Sequence, residues 1–170
     1  MPRRAAAPPA ISVRVAGPGD AAALAALDER AFPPADRFSL RVWRHLLGAA
    51  RRNRSALTVI AHGADGSVLG AAALLLRRSS RVARLYTVAV DPAARGLGLG
   101  RRLIAEALMR APQRCNVVSL EVRAANAPAR ALYERLGLRV VGSLPAYYGD
   151  GAVGVRYRGN RAATLAAARR

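Results

Sequence analysis

The stretch LYTVAVDPAARGLGLGRRL, from Leu85 to Leu103, restricts the possible folds of this chain more than any other. Its first residues alternate around the β-branched Val88 and Val90 and read as a strand. Asp91-Pro92 ends that strand, because proline fixes its own φ and turns the preceding residue away from the helical region. Glycines follow at 96, 98 and 100, and the run Arg101 to Arg110 then carries good helix formers with Leu103, Ile104 and Leu108 at helical spacing. The order is strand, glycine turn, helix. Glycines let a ligand approach the backbone, the first helical turn leaves N–H groups unpaired, and the helix dipole adds about half a positive charge there. Such an arrangement binds phosphate.

Three phosphate-binding loops compete for this segment. A Walker loop needs Lys-Ser or Lys-Thr after its last glycine, and the chain has no lysine. A dinucleotide fingerprint needs G-x-G-x-x-G, whereas the spacing from Gly96 is G-x-G-x-G, although Glu121 lies about 20 residues on, as that motif requires. The third loop is R-x-x-G-x-G, Arg95 to Gly100, entered through V-x-V-D-P. It resembles the acyl-CoA loop of the GCN5-related N-acetyltransferases, the GNAT superfamily. A glycine turn with no ligand is the bland alternative, since short glycine motifs arise by chance.

At 170 residues the chain suits one α/β domain with a substantial core. Arginines number 28 against 10 acids, a formal charge of +18. A surface of that kind either meets a polyanion or reflects the coding bias of a GC-rich genome. Because the arginines are scattered in pairs and not gathered on one stripe, coding bias is the favoured reading, and nucleic acid is not the expected substrate. Cys115 is the single cysteine, which leaves no intrachain disulfide, and without a Cys/His cluster no metal site is expected. The N-terminal MPRRAAAPPA is broken by Pro8 and Pro9 before an apolar signal core forms, and no apolar run reaches 18 residues. A cytoplasmic protein without membrane partners is expected.

In order, residues 1–10 read as a disordered leader, 11–158 as a single domain and 159–170 as a basic, loosely ordered tail. Ile11, Val13 and Val15 alternate on a first strand. A helix capped by Asp20 follows, then one capped by Ser39 that runs to about Ala50, with Arg51 to Arg54 as an irregular link. Trp43 and His45 on the second helix are weighed as acceptor-site residues, but amphipathic packing is the favoured reading. Strands Leu57 to Ala61 and Val68 to Leu76 flank the Ala64-Asp65-Gly66 turn and lead into the phosphate strand. Beyond the phosphate helix come a strand from Cys115 to Val122, a helix opened by Asn126-Ala127-Pro128 and ended by Gly137, and strands at Leu138 to Val141 and Gly151 to Tyr157.

The segment LEVRAANAPARALYERLGL, Leu120 to Leu138, is similar to L-E-V-R-x-x-N-x-x-A-x-x-L-Y-x-x-x-G-F of GNAT enzymes of the ribosomal-protein alanine N-acetyltransferase (RimI-like) type. The resemblance covers roughly Ile11 to Tyr157. It implies the GNAT fold: a mixed α/β sheet of about seven strands with an antiparallel N-terminal meander, a splayed central parallel pair and about four helices. It further implies acetyl-CoA as co-substrate, held by backbone groups of Val88, Ala89 and Val90, by the loop Arg95, Gly96, Leu97, Gly98, Leu99, Gly100 and Arg101, and by Asn126. Glu121 matches the family's general base and Tyr133 its general acid. Those roles suit the chemistry, since acetyl transfer needs a neutral amine, a stabilised oxyanion and a proton for the departing thiolate. The plainer alternatives are an ion pair of Glu121 with Arg123, a helix cap at Asn126 and a core role for Tyr133.

The implied acceptor is a peptide or protein N-terminal amine. Neutralising an α-amine near pH 7.5 costs well under 1 kcal/mol, whereas a lysine amine costs about 4. Tyr147 and Tyr148 match the subfamily's tyrosine pair, but Asp150-Gly151-Ala152-Val153 stands where the family has an acidic pair. Lysine side chains, small-molecule amines and a non-enzymatic RNA- or ribosome-binding role remain open at this point.

Overall fold

The computed structural model describes residues 10–170. All but the last residue of the expected leader lies outside them. The elements are β1 (Ser12–Val15), α1 (Ala21–Ala31), α2 (Leu40–Asn53), β2 (Ala56–His62), β3 (Val68–Leu76), β4 (Val82–Val90), α3 (Leu99–Arg110), β5 (Val117–Arg123), α4 (Ala127–Arg135), β6 (Arg139–Leu144), β7 (Gly154–Asn160) and α5 (Arg161–Ala168). The strands form one sheet in the order β1-β2-β3-β4-β5-β7-β6. Every neighbouring pair is antiparallel except β4 and β5. The mixed sheet with an antiparallel meander and one central parallel pair is therefore the observed architecture.

Two features of β4 position the site. Its pairing with β5 is confined to Val82↔Val117, Ala83↔Val118 and Arg84↔Ser119, after which the two strands part. Its register with β3 passes from Leu74↔Leu85 to Ala73↔Thr87, leaving Tyr86 as the extra residue of a bulge. The bulge reverses the alternation of faces. Ala83 and Leu85 pack in the core beneath α3, and so do Val88 and Val90, while Ala89 packs in the opposite core.

The sheet is covered on both faces. Leu103, Ile104 and Leu108 of α3 and Tyr133 and Leu136 from the α4 region share one core with Val118, Leu120 and Tyr157. On the other face Leu24, Leu27, Trp43, Leu46 and Leu47 of α1 and α2 pack on Ile60, Ala71 and Ala73. Complete burial of each large aliphatic chain is worth about 1.5–3 kcal/mol. The small residues of β3 let both helical layers come close. A Cβ at Gly70 would lie 2.8 Å from Leu103 Cδ1 and 3.0 Å from the Ala89 carbonyl.

Several boundaries differ from the sequence reading. Asp20 does not cap α1 with its side chain. It accepts from the Gly17 N–H at 2.8 Å and pairs with Arg14, closing the preceding turn. Ser39 does cap α2, accepting from the Val42 N–H, but that helix runs on through Arg51 and Arg52 to Asn53 and stops at Arg54, whose φ is 55°. The tail is the largest difference: Arg161–Ala168 form a fifth helix where a loosely ordered segment was expected. Asn160 Oδ1 caps it through the Ala163 N–H, Thr164 is buried, and Leu165 and Ala168 pack against the core. Arg161 donates to the carbonyls of Ala111, Pro112 and Cys115 at 2.9–3.1 Å, just beyond the end of α3.

Candidate active site

A groove of about 1110 Å³ runs from the glycine loop across the parting of β4 and β5 to α4. At one end, residues 96–101 donate none of their backbone N–H groups to a protein acceptor among the described residues. Gly96 and Gly98 hold φ at 80° and 72°, a region that costs an L-residue about 1–2 kcal/mol. Gly98 is the N-cap of α3, so the free N–H groups sit at the positive end of that helix dipole. The loop is tied in place from outside. Arg95 donates to the Ala31 carbonyl at 2.8 Å, and Asp91 holds both the Ala93 N–H and the Arg30 guanidinium. Arg95 thus serves this loop as an anchor onto α1 as well as lining the groove.

Val88 and Val90 line the middle of the groove. Asp91 N–H donates to the Leu69 carbonyl, and Ala89 stands opposite Ala71, so alternation turns the backbone groups of Ala89 toward β3. Those of Val88 and Val90 face the edge that β5 has left. Of the three residues expected to offer backbone groups there, Ala89 is turned away, and its side chain is buried in the opposite core.

Asn126 and Tyr133 reach the groove from α4. Asn126 caps the helix, its Oδ1 accepting from the Ala129 N–H at 3.2 Å, which leaves its amide N–H groups available. Tyr133 is buried with its ring 6.1 Å from that of Tyr157. Its hydroxyl makes no hydrogen bond to protein among the described residues, and the residue lines the groove. Burial first, and the neighbouring Tyr148 second, push its pKa up to about 12. The group holds its proton throughout the neutral range.

Glu121 lies on the other face of the sheet, two residues beyond the last β4–β5 pair. It does not pair with Arg123. Its carboxylate accepts from Arg84 Nε at 2.8 Å and from Arg156 Nε at 2.9 Å, and its side chain is 8% exposed. Arg84 also donates to the Tyr147 hydroxyl at 3.0 Å. These groups line a second cleft of about 810 Å³ that also contains Arg77, Ser119 and Arg158. Arg123 instead binds Asp36 and Asp150 and lies 4.1 Å over the Tyr148 ring, joining the α1–α2 connection to the β6–β7 loop. Tyr147 and Tyr148 meet edge to face at 5.1 Å. Trp43 is a core residue, and His45 is exposed on α2 near Tyr86.

Sequence reasoning overlooked Arg84, Arg156 and the Arg123 pairs. Arg84 occupies an alternating strand position like any solvent-facing residue, and only the three-pair register with β5 brings it to Glu121.

The sequence matches the acetyltransferase (GNAT) family over residues 22–138. The chain belongs to that family. Among curated members, it is 48% identical over 64 residues to N-alpha-acetyltransferase RimI of Mycobacterium tuberculosis, covering 38% of this chain and 39% of the relative. It is 38% identical over 104 residues to mycothiol acetyltransferase of Clavibacter michiganensis, covering 61% of this chain and 30% of the relative. The matched parts therefore span well under half of these relatives. The ribosomal-protein-S18-alanine N-acetyltransferase of Escherichia coli superposes with a TM-score of 0.71 at 26% identity, over 89% of this chain and 94% of that one. The GNAT fold expected from the two motifs is thus the fold observed. Among the described residues no helix is long and apolar enough to cross a membrane, and no group of His, Cys, Asp and Glu could hold a metal ion.

Proposed function

We propose that this protein is an acetyl-CoA-dependent N-acetyltransferase that acts on a primary amine, in first place the N-terminal α-amine of a peptide or protein. The groove carries this reading. One continuous channel joins a loop of unpaired N–H groups at a helix start, an open strand edge at Val88 and Val90, and a protonated tyrosine hydroxyl. Acetyl-CoA fits those donors chemically: a pyrophosphate for the N–H groups of residues 96–101, and amides for the strand edge. As co-substrate it supplies an acetyl group already activated as a thioester.

The remaining chemistry belongs to the chain. A backbone N–H of Val88 or Val90 donates to the carbonyl oxygen as negative charge grows there, the role of an oxyanion hole. Tyr133 gives its proton, or a strong hydrogen bond, to the departing sulfur. Asn126 adds its free amide N–H near the pantetheine arm of the CoA. Glu121 takes the amine proton through a water, with Arg84 and Arg156 fixing the carboxylate. The carboxylate accepts from two guanidiniums, and a single carboxylate suits an amine that is nearly neutral at working pH. An α-amine of pKa about 7.7–8.0 meets that condition, and a lysine side chain near 10.4 does not. The likeness to RimI supports the same acceptor class. A small-molecule amine is the second reading, favoured by the match to mycothiol acetyltransferase over 61% of the chain.

Calorimetry with acetyl-CoA tests the donor, and absence of binding at tens of micromolar would overturn the enzyme reading. Release of CoA is then followed with free N-terminal peptides, with internal-lysine peptides whose N-termini are blocked, and with polyamines and aminoglycosides. Turnover of the free N-termini is expected to lead. A lead for blocked peptides or small amines would reject the N-terminal acceptor while keeping the acetyl-CoA chemistry.

A further inference from the structure

The cleft on the Glu121 face has a composition that the transfer chemistry does not require. Arg77, Arg84, Arg156 and Arg158 converge there against one carboxylate, Glu121. Arg84 and Arg156 spend only part of their donors on Glu121 and Tyr147, while the guanidiniums of Arg77 and Arg158 donate to no protein group among the described residues. A guanidinium offers five N–H donors in a planar fork suited to carboxylates. The four arginines meet in one concavity that runs from the β4–β5 pairing to Glu121.

The strand geometry says how far from the reacting amine an anion would sit. Arg156 stands opposite Glu121 and Arg158 opposite Ser119, one alternate position deeper along β7. Alternate residues of a strand lie roughly 6.6 Å apart, the same repeat as alternate side chains of an extended peptide. An extended substrate whose first residue lies beside Glu121 and Arg156 therefore presents its third residue, on the same face, to Arg158.

Building on the acetyl-transfer reading above, we infer that the acceptor is anionic close to its amine, with a carboxylate bound by Arg158 and the free donors of Arg156. Two sources share that chemistry: a peptide N-terminus with Asp or Glu at position three, and a small amino acid carrying its own carboxylates. The field of the cleft also steers such substrates, so the effect weakens as salt shortens the screening length to about 8 Å.

The test measures binding to the CoA-loaded protein by calorimetry, and CoA release in parallel. The probes are a peptide beginning Ala-Asp-Glu, its amide counterpart beginning Ala-Asn-Gln, and free glutamate. The acidic peptide is expected to bind at least about tenfold tighter than the amide peptide, the equivalent of one charged contact of about 1.4 kcal/mol. Arg158→Gln should shrink that ratio several-fold. A preference for free glutamate over both peptides would assign the anion to a small substrate. Equal binding of the acidic and amide peptides, or a ratio that Arg158→Gln leaves intact, overturns the inference, as does displacement of the acidic peptide by a short RNA that binds more tightly. Failure of acetyl transfer itself would show differently, as acidic-peptide binding without CoA release from any amine.

Discussion

Tyr133→Phe separates catalysis from packing more cleanly than any other change in this protein. The hydroxyl it removes has no protein partner among the described residues, and the ring that remains keeps its contact with Tyr157. The variant therefore loses no internal hydrogen bond, and its stability should stay within about 0.5 kcal/mol of the parent. Loss of an acid–base group costs on the order of 10²–10⁴ in rate, or about 2.7–5.4 kcal/mol of barrier. The pH profile adds a second readout. Burial places the Tyr133 hydroxyl at about 12, so near pH 9 about one molecule in a thousand is ionised. The parent's kcat/KM should rise through the α-amine pKa, about 7.7–8.0, and stay level to about pH 10. Tyr133→Phe should lower the plateau and leave the position of the rise unchanged. Thermal denaturation and CoA-release rates from about pH 6 to 10 measure both. Activity within twofold of the parent would refute the assignment, and an alkaline fall near pH 9 that vanishes in the variant would refute the account of its burial.

Burial also raises the Asp28 carboxyl, to about 6, against the lesser opposing effect of the Phe38 N–H bond. The folded state thus keeps a proton that the unfolded chain releases near 3.9. This group favours folding most below about pH 4 and loses its advantage as pH rises through about 6, a change on the order of 3 kcal/mol. Urea titrations should show Asp28→Asn gaining on the parent between about pH 4.5 and 7.5, and a difference constant with pH would contradict this. Gly98→Ala forces a side chain onto φ 72° and should weaken acetyl-CoA binding on the order of tenfold by calorimetry, with unaltered affinity counting against the loop. Arg161→Met removes donors from three carbonyls and should cost about 2 kcal/mol, lowering Tm by about 5 °C, whereas an unchanged Tm would make α5 an ornament.

The phosphate strand, its loop and the helix behind it were legible in the sequence because each obeys local rules: alternation, a proline stop, glycines, helical spacing. The caps at Ser39 and Asn126 were readable for the same reason. Asp20 was not, since its carboxylate found Arg14 on the neighbouring strand. The tail misled because alanines give little hydrophobic contrast, and its helix is fixed by Arg161 and the buried Thr164, contacts that exist only after folding. At the site, Tyr133 and Asn126 came from the resemblance of Leu120 to Leu138 to the family's segment. The surroundings of Glu121 did not, because Arg84 and Arg156 sit 37 and 35 residues away and meet it only through strand register. The bulge at Tyr86, which decides that Val88 and Val90 rather than Ala89 face the opening, leaves no trace in the alternation of a strand so rich in small residues.

The parting of β4 and β5 after three residue pairs turns a wall into a doorway. One side is furnished by α3, α4 and the glycine loop, the other by the arginine-lined cleft and the β6–β7 loop, and no lining residue is common to the two. Residues of the arginine cleft can therefore be exchanged without touching the glycine loop. On the proposed reading, a change of acceptor would begin at Arg77 and Arg158, whose guanidiniums donate to no protein group among the described residues.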